Sequence, residues 1–276
     1  MNTIHHISFR LDPKVYETLA ESGLKYKKTP LAINPAPFDY LISVDICEND
    51  PRWRLFASIE DAIDVRYYKY TNADLKKAEW LSVRGRMPTV DLAREEESFS
   101  ISERIDDQRA RHVVKQGKLF LKNQPNWGKR HFLCTYNLGE NNLLCDSVAK
   151  QFFQKHKMQV SFEDVLDAKT ELPLDNTFYM TADMVLPHAA VLHNPTEKKI
   201  QCPICRKIKY ETGSDHQLHI DHAYLQTEHM ICRTQDIFGS GNTTYSITII
   251  TQNVYRELLN DNLQRSLVFE PVYLDG

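Results

Sequence analysis

Two stretches of this chain share one pattern. Residues 143–166 read LLCDSVAKQFFQKHKMQVSFEDVL, and residues 249–274 read IITQNVYRELLNDNLQRSLVFEPVYL. At an offset of 106, Leu144 falls on Ile250, Ser147 on Asn253, Val148 on Val254, Phe152 on Leu258 and Phe153 on Leu259. One further residue aligns Phe162, Glu163 and Val165 with Phe269, Glu270 and Val272. Each copy reads as a short apolar strand, a Ser or Asn cap, a helix with apolar residues at i, i+4 and i+5, and a second strand. A unit of that kind needs a sheet for its helix to cover. The expected fold class is therefore α+β: mixed sheets with short helices on one face, and two weakly similar strand-helix-strand units. The expected division is an N-terminal α+β region over 1–138 and a second domain over 139–276.

The N-terminal region gives shorter signals. IHHISFRL places apolar residues at Ile4, Ile7, Phe9 and Leu11, which predicts a strand. Asp12 then offers an N-cap, Pro13 suits a first helical turn and Gly23 a stop. FDYLISVD (38–45) predicts a buried strand. Ser58 and Asp61 have capping-box spacing, which predicts a short helix there. Residues 86–110 form the most charged stretch and read as a loop or exposed helix. Their acidic side chains, Asp91, Glu95, Glu96, Glu97, Glu103, Asp106 and Asp107, are either a solvated face or a docking surface for a basic partner. PTEKK (195–199) reads as a turn or linker.

Bulk composition narrows the function. The chain has 276 residues, 42% hydrophobic and 26% charged, as in ordinary globular proteins. Its net charge of −3 supplies no overall basic field to gather nucleic acid, so none is expected as a partner. MNTIHHISFRLDPK lacks the basic start and apolar run of a signal peptide, and no apolar run is long enough to span a bilayer. A cytoplasmic protein without a membrane partner is expected. Six cysteines in that setting argue against a disulfide scaffold. Cys47, Cys134 and Cys145 sit in apolar contexts and read as small buried hydrophobes.

The remaining cysteines are more informative. Cys202 and Cys205 form a CPIC knuckle, and His229 and Cys232 repeat its two-residue gap in HMIC. Three thiolates and an imidazole at that spacing are a ligand set for a structural zinc ion, clamping a knuckle hairpin in the C-terminal half. The alternative is a pair of exposed thiols in a turn with a surface histidine. A redox role for CPIC would need the pair at a helix N-terminus, whereas RKIKYETG reads as a strand running into a turn.

Between the knuckles, LHIDH (218–222) resembles the first half of the HNH nuclease motif, with His222 to activate water and Asp221 to hold a metal. Only six residues separate His222 from His229, and RTQDIFGSGNTTYSITII reads as loop then strand where that motif needs a helix. On the competing reading, Leu218 and Ile220 face inward and His219 and Asp221 form the wet face of a strand. No phosphate loop, nucleophile elbow or HExxH is present.

The order of CPIC, an LxID-like strand, Asp236-Ile-Phe-Gly239, and a strand-helix-strand ending in Phe269-Glu-Pro-Val272 is similar to the double-CxxCG family of bacterial immunity proteins of polymorphic toxin systems. The resemblance covers residues 200–274 and extends faintly to 140–190. Arg206 and Arg233 stand where the family's motifs carry glycine, and the second motif is reduced to HMIC. The resemblance implies a protein that binds and neutralises one toxin, encoded by the adjacent gene, with no catalysis of its own. The 13 Tyr and 3 Trp suit an interface. Two alternatives stay open: a zinc-braced adaptor or regulatory binding protein, and a metal-dependent nuclease using Asp221 and His222.

Overall fold

The computed structural model describes residues 1–32, 38–86, 90–101, 113–136, 141–186, 190–193, 199–201, 206–210, 217–225, 230–239 and 245–275. Two compact units divide the chain, Met1–Asn72 with Ser214–His216, and Ala73–Gly213 with Gln217–Gly276.

The first unit runs β1 (Asn2–Arg10), α1 (Pro13–Ser22), β2 (Tyr26–Pro30), β3 (Tyr40–Cys47), α2 (Arg52–Ala57) and β4 (Ile63–Lys69). Its start follows the sequence closely. The Asp12 carboxylate accepts from the Val15 amide at 2.9 Å, Pro13 opens the helix, and Gly23 closes it at φ 65°. The helix expected from Ser58 lies one step earlier. The Asp50 carboxylate accepts from the Arg52 amide, α2 ends at Ser58, and Asp61 at φ 60° turns the chain into β4.

The strands are ordered β2-β3-β1-β4, and every pairing is antiparallel. That is the double split β-α-β topology of ferredoxin-like sheets. Successive side chains alternate between faces. Ile7 and Phe9 of β1 join Ile42, Val44 and Ile46 of β3 beneath Val15, Leu19 and Phe56 of the helices. The other face carries His6, Ser8 and Arg10 opposite Asp45, Ser43 and Leu41. The expected buried strand at 38–45 is thus buried on one face only.

The second unit continues α3 (Asn72–Lys77), β5 (Trp80–Gly85), β6 (Leu92–Ala93), α4 (Glu95–Ser98), β7 (Phe99–Ile101), β8 (Val113–Lys115), β9 (Phe120–Leu121), β10 (Phe132–Tyr136), β11 (Asn141–Cys145), α5 (Ser147–Lys155), β12 (Val160–Asp167) and β13 (Pro173–Ala182). It ends with β14 (Met184–Leu186), β15 (Ala190–His193), β16 (Lys199–Gln201), β17 (Ile208–Tyr210), β18 (Gln217–Asp221), β19 (Ile231–Thr234), β20 (Ile237–Phe238), β21 (Thr248–Thr251), α6 (Gln252–Asn260) and β22 (Leu267–Asp275). Mixed sheets with a few short helices make the fold α+β, as expected. The expected boundary at 138/139 falls between β10 and β11, which pair antiparallel with each other; the compact units divide after Asn72 instead. Among the described residues no helix is long and apolar enough to cross a membrane.

Both strand-helix-strand copies form, as β11-α5-β12 and β21-α6-β22. In each, the two strands flank a third that runs antiparallel to both, β13 in the first copy and β5 in the second. The helices share one apolar core, with Ala149, Phe152 and Phe153 beside Val254, Tyr255 and Leu258. The sequence register is corrected by one. Asp146 and Thr251 are the N-caps, and both helices have nine residues, so the helices align at an offset of 105. That offset matches Ala149 with Val254, Phe153 with Leu258 and Met158 with Leu263, all buried. It also matches Lys157 with Asn262, at φ 51° and 57°. The offset of 106 would set Val148, 49% exposed, against Val254, fully buried.

Candidate functional site

The expected zinc ligands Cys202, Cys205 and His229 lie outside the described residues. Cys232 is described, and its surroundings are apolar. It sits in β19 opposite Ile249, packed with Trp80, Leu186, Met230 and Phe238. Burial pushes its thiol up to about 12. Its neighbour Ile231 faces the opposite core, so the HMIC stretch supplies both buried faces of one strand. Among the described residues no three His, Cys, Asp or Glu side chains gather as a metal site.

LHIDH is arranged as a strand with one wet face. Leu218 and Ile220 face the core. His219 Nδ1 lies 2.9 Å from Asp275 Oδ1, and its ring stacks on Tyr273. The Asp221 carboxylate accepts from the Ala223 amide at 2.9 Å, capping a single turn over His222–Tyr224. After Cys232 the chain continues as β19, β20 and β21 rather than as a helix.

Of the acidic run, Glu103, Asp106 and Asp107 lie outside the described residues. Asp91, Glu96 and Glu97 are exposed and Glu95 half-buried; Glu95 to Glu97 form the first turn of α4. Arg94 anchors this end of the run. Its guanidinium donates to Glu171 and to the Ala168 carbonyl, each at 2.6 Å, lies 3.7 Å from Glu97, and covers the Phe120 ring. The stretch expected as loop or exposed helix also contains β6 and β7, whose Leu92 and Phe99 are buried.

Of the residues behind the family resemblance, CPIC lies outside the described residues, and Asp236, Phe238, Phe269 and Val272 pack or bond within the second unit. Asp236 is buried and accepts from the Ile208 amide, Phe238 is buried in β20, and Phe269 and Val272 face opposite cores of β22. Pro271 sits where β22 pairs β5 and β18 has not yet begun, a place that tolerates a missing N–H.

A connected polar group lies on the open face of the first unit, which the apolar half of the strand pattern does not reveal. His6 Nδ1 donates to Asp45 Oδ1 at 2.7 Å. Ser8 Oγ is 3.3 Å from His6 Nε2, and Ser43 Oγ is 2.9 Å from Ser8 Oγ. One assignment satisfies all three contacts: Ser43 donates to Ser8, Ser8 to His6, and His6 to Asp45. The Tyr67 hydroxyl also bonds Asp45; burial, then that carboxylate, raises its pKa above the ordinary tyrosine value. The geometry is a direct product of register. His6 lies directly opposite Asp45 and Ser8 opposite Ser43, so two cross-strand pairs become a chain of hydrogen bonds ending on a carboxylate. The sequence signal was available as the polar alternation of His6 and Ser8 in HHISF and of Ser43 and Asp45 in SVD.

This order of groups is that of an acyl-transfer triad, but acyl transfer also needs N–H donors aimed at a developing oxyanion. β1 is an interior strand, laddered by β3 on one side and β4 on the other, so the Ser8 amide points into a ladder. The hydrogen bonds of this relay hold His6, Ser8, Ser43 and Asp45 in fixed positions on an open surface. Two exposed aliphatic residues flank it on β4, Ile63 at 64% and Val65 at 37%.

Protein-family models, curated proteins and solved structures were compared with this chain, and none matches.

Proposed function

We propose that this chain is a cytoplasmic immunity protein that binds a bacterial toxin, encoded by the adjacent gene, and neutralises it by direct contact. The family reading rests on the motifs over residues 200–274. The observation that supports a binding role is the open sheet face of the first unit. It combines preorganised donors and acceptors, His6, Ser8, Ser43, Asp45 and Tyr67, with the exposed Ile63 and Val65. Apolar contact area bordered by satisfied polar groups is the composition of a protein interface. Side chains held in place by their own hydrogen bonds lose little freedom when a partner binds. The relay serves recognition, and no catalysis is assigned to it.

Co-expression of this chain with a tagged, inactivated product of the adjacent gene tests the reading. The expected result is a stable complex, lost when Asp45→Arg reverses the charge at the end of the relay while the fold is kept. A complex indifferent to Asp45→Arg would move the interface elsewhere. Failure of the two proteins to associate would refute the proposal.

A further inference from the structure

The two edges of the first unit's sheet are guarded differently. β2 carries Lys27 and Lys28 and ends on Pro30, which has no N–H to offer. Charge and proline on an edge are the usual defences against pairing with another chain. β4 has no proline, and its charges, Asp64, Arg66 and Lys69, are of both signs. It is seven residues long, free of Pro and Gly, and rich in strand-forming side chains (IDVRYYK). Among the described residues its only ladder is with β1. Residues 63 to 66 are all exposed.

The sequence of this edge is complementary to itself. Consider a second copy pairing antiparallel about a two-fold axis through Val65, with both open faces on the same side. Val65 then meets its own counterpart, and Ile63 meets Tyr67. On the helix-covered face Asp64 meets Arg66, and Arg66 meets Asp64. The two symmetric registers on either side are disfavoured, because they place Asp64 against Asp64 or Arg66 against Arg66. A shift by a single residue would set open-face side chains against helix-face ones. Opposite charges directly across a ladder stabilise it, and like charges destabilise it. The Asp64 carboxylate already accepts from His5 Nδ1, at 2.8 and 3.1 Å, and a carboxylate has lone pairs for a further donor.

We propose that β4 pairs with β4 of a second copy in this register, joining two four-stranded sheets into one of eight strands whose open faces lie on the same side. The partner is a second copy because the edge supplies both halves of each charge pair. The dimer is tested with this chain alone, without any toxin, so this proposal and the proposed toxin binding can fail separately.

Sedimentation equilibrium of the purified full chain tests it. The expected result is a concentration-dependent rise from 32.2 kDa towards twice that mass. Arg66→Asp sets Asp64 against an aspartate, and Asp64→Lys sets Arg66 against a lysine; each should weaken the homodimer by about tenfold or more. Mixing the two variants restores complementary pairs, and the mixture should dimerise again. Val65→Lys places like charges on the axis and should remove the dimer. Because Asp64→Lys also removes the partner of His5, Arg66→Asp and Val65→Lys keep the test valid if that variant does not fold. A chain that stays at 32.2 kDa into the millimolar range overturns the proposal. So does a dimer unaffected by Val65→Lys.

Discussion

Gly85→Ala is the sharpest test of how the second unit is packed. Gly85 ends β5 opposite Leu267, and a Cβ built on it would stand 2.5 Å from Cys134 Cβ and 2.7 Å from Cys134 Sγ. Carbon atoms in contact stand about 3.5–4.0 Å apart, so the overlap is roughly 1 Å. The Cys134 sulfur can turn away, but the two Cβ atoms are fixed to backbones and cannot. β5 and β10 must therefore separate where their sheets meet, and overpacking of that kind costs about 1–3 kcal/mol. Against it stands the stiffer unfolded chain of alanine, worth about 0.4–1 kcal/mol in favour of folding. The clash wins, and the net expectation is a loss of about 1–2 kcal/mol. The assay is urea unfolding in a Trp53→Phe background, where the remaining Trp80 and Trp127 both report the second unit. Cys134→Gly removes the opposing Cβ, so the double variant should recover about 1 kcal/mol or more of coupling energy. A neutral or stabilising Gly85→Ala, or no coupling to Cys134, would refute this packing.

Cys232→Ser should destabilise by about 1–3 kcal/mol, by placing a hydroxyl among apolar side chains. It should leave the zinc content of the purified protein unchanged; loss of bound zinc in that variant would instead make Cys232 a ligand. Val148→Ala should stay within about 0.5 kcal/mol while Val254→Ala costs about 2 kcal/mol, and equal costs in thermal unfolding would undo the offset of 105. Tyr67 should ionise above the ordinary tyrosine value of about 10, in a late phase of the phenolate absorbance titration that Tyr67→Phe removes. Since folding raises this pKa, its stabilising contribution is complete below the unfolded value. That contribution is lost as pH rises through the folded one. Asp45→Asn should bring the phase earlier without abolishing it, because burial is the larger cause.

Much of the fold was legible where short-range chemistry decides it. Asp12, Pro13 and Gly23 mark α1 at both ends, and the strand-helix-strand pattern appears twice. The off-by-one register arose because apolar residues at i, i+4 and i+5 fit neighbouring offsets almost equally. Only the caps at Asp146 and Thr251 and the turns at Lys157 and Asn262 separate them. The strand completing the second copy, β5, was hidden because it joins β21 and β22 from 165 to 192 residues earlier in the chain. Spacing in HMIC also left the packing of Cys232 unread. A two-residue gap says nothing of burial, and the alternation of Ile231 and Cys232 between two cores is set by strands distant in sequence. The open-face relay was missed for a related reason. Each of its strands shows a polar alternation, but only the register of β1 against β3 turns His6, Ser8, Ser43 and Asp45 into one connected group.

The central claim is that this protein protects a cell by binding a toxin, and counting survivors tests it most directly. The adjacent open reading frame is expressed in a host alone, with this chain, and with its Asp45→Arg variant. The expected result is death in the first culture, full survival in the second and loss of protection in the third, with both forms of the protein equally abundant. A toxic neighbour that this chain cannot neutralise, or a neighbour without toxicity, would contradict the account.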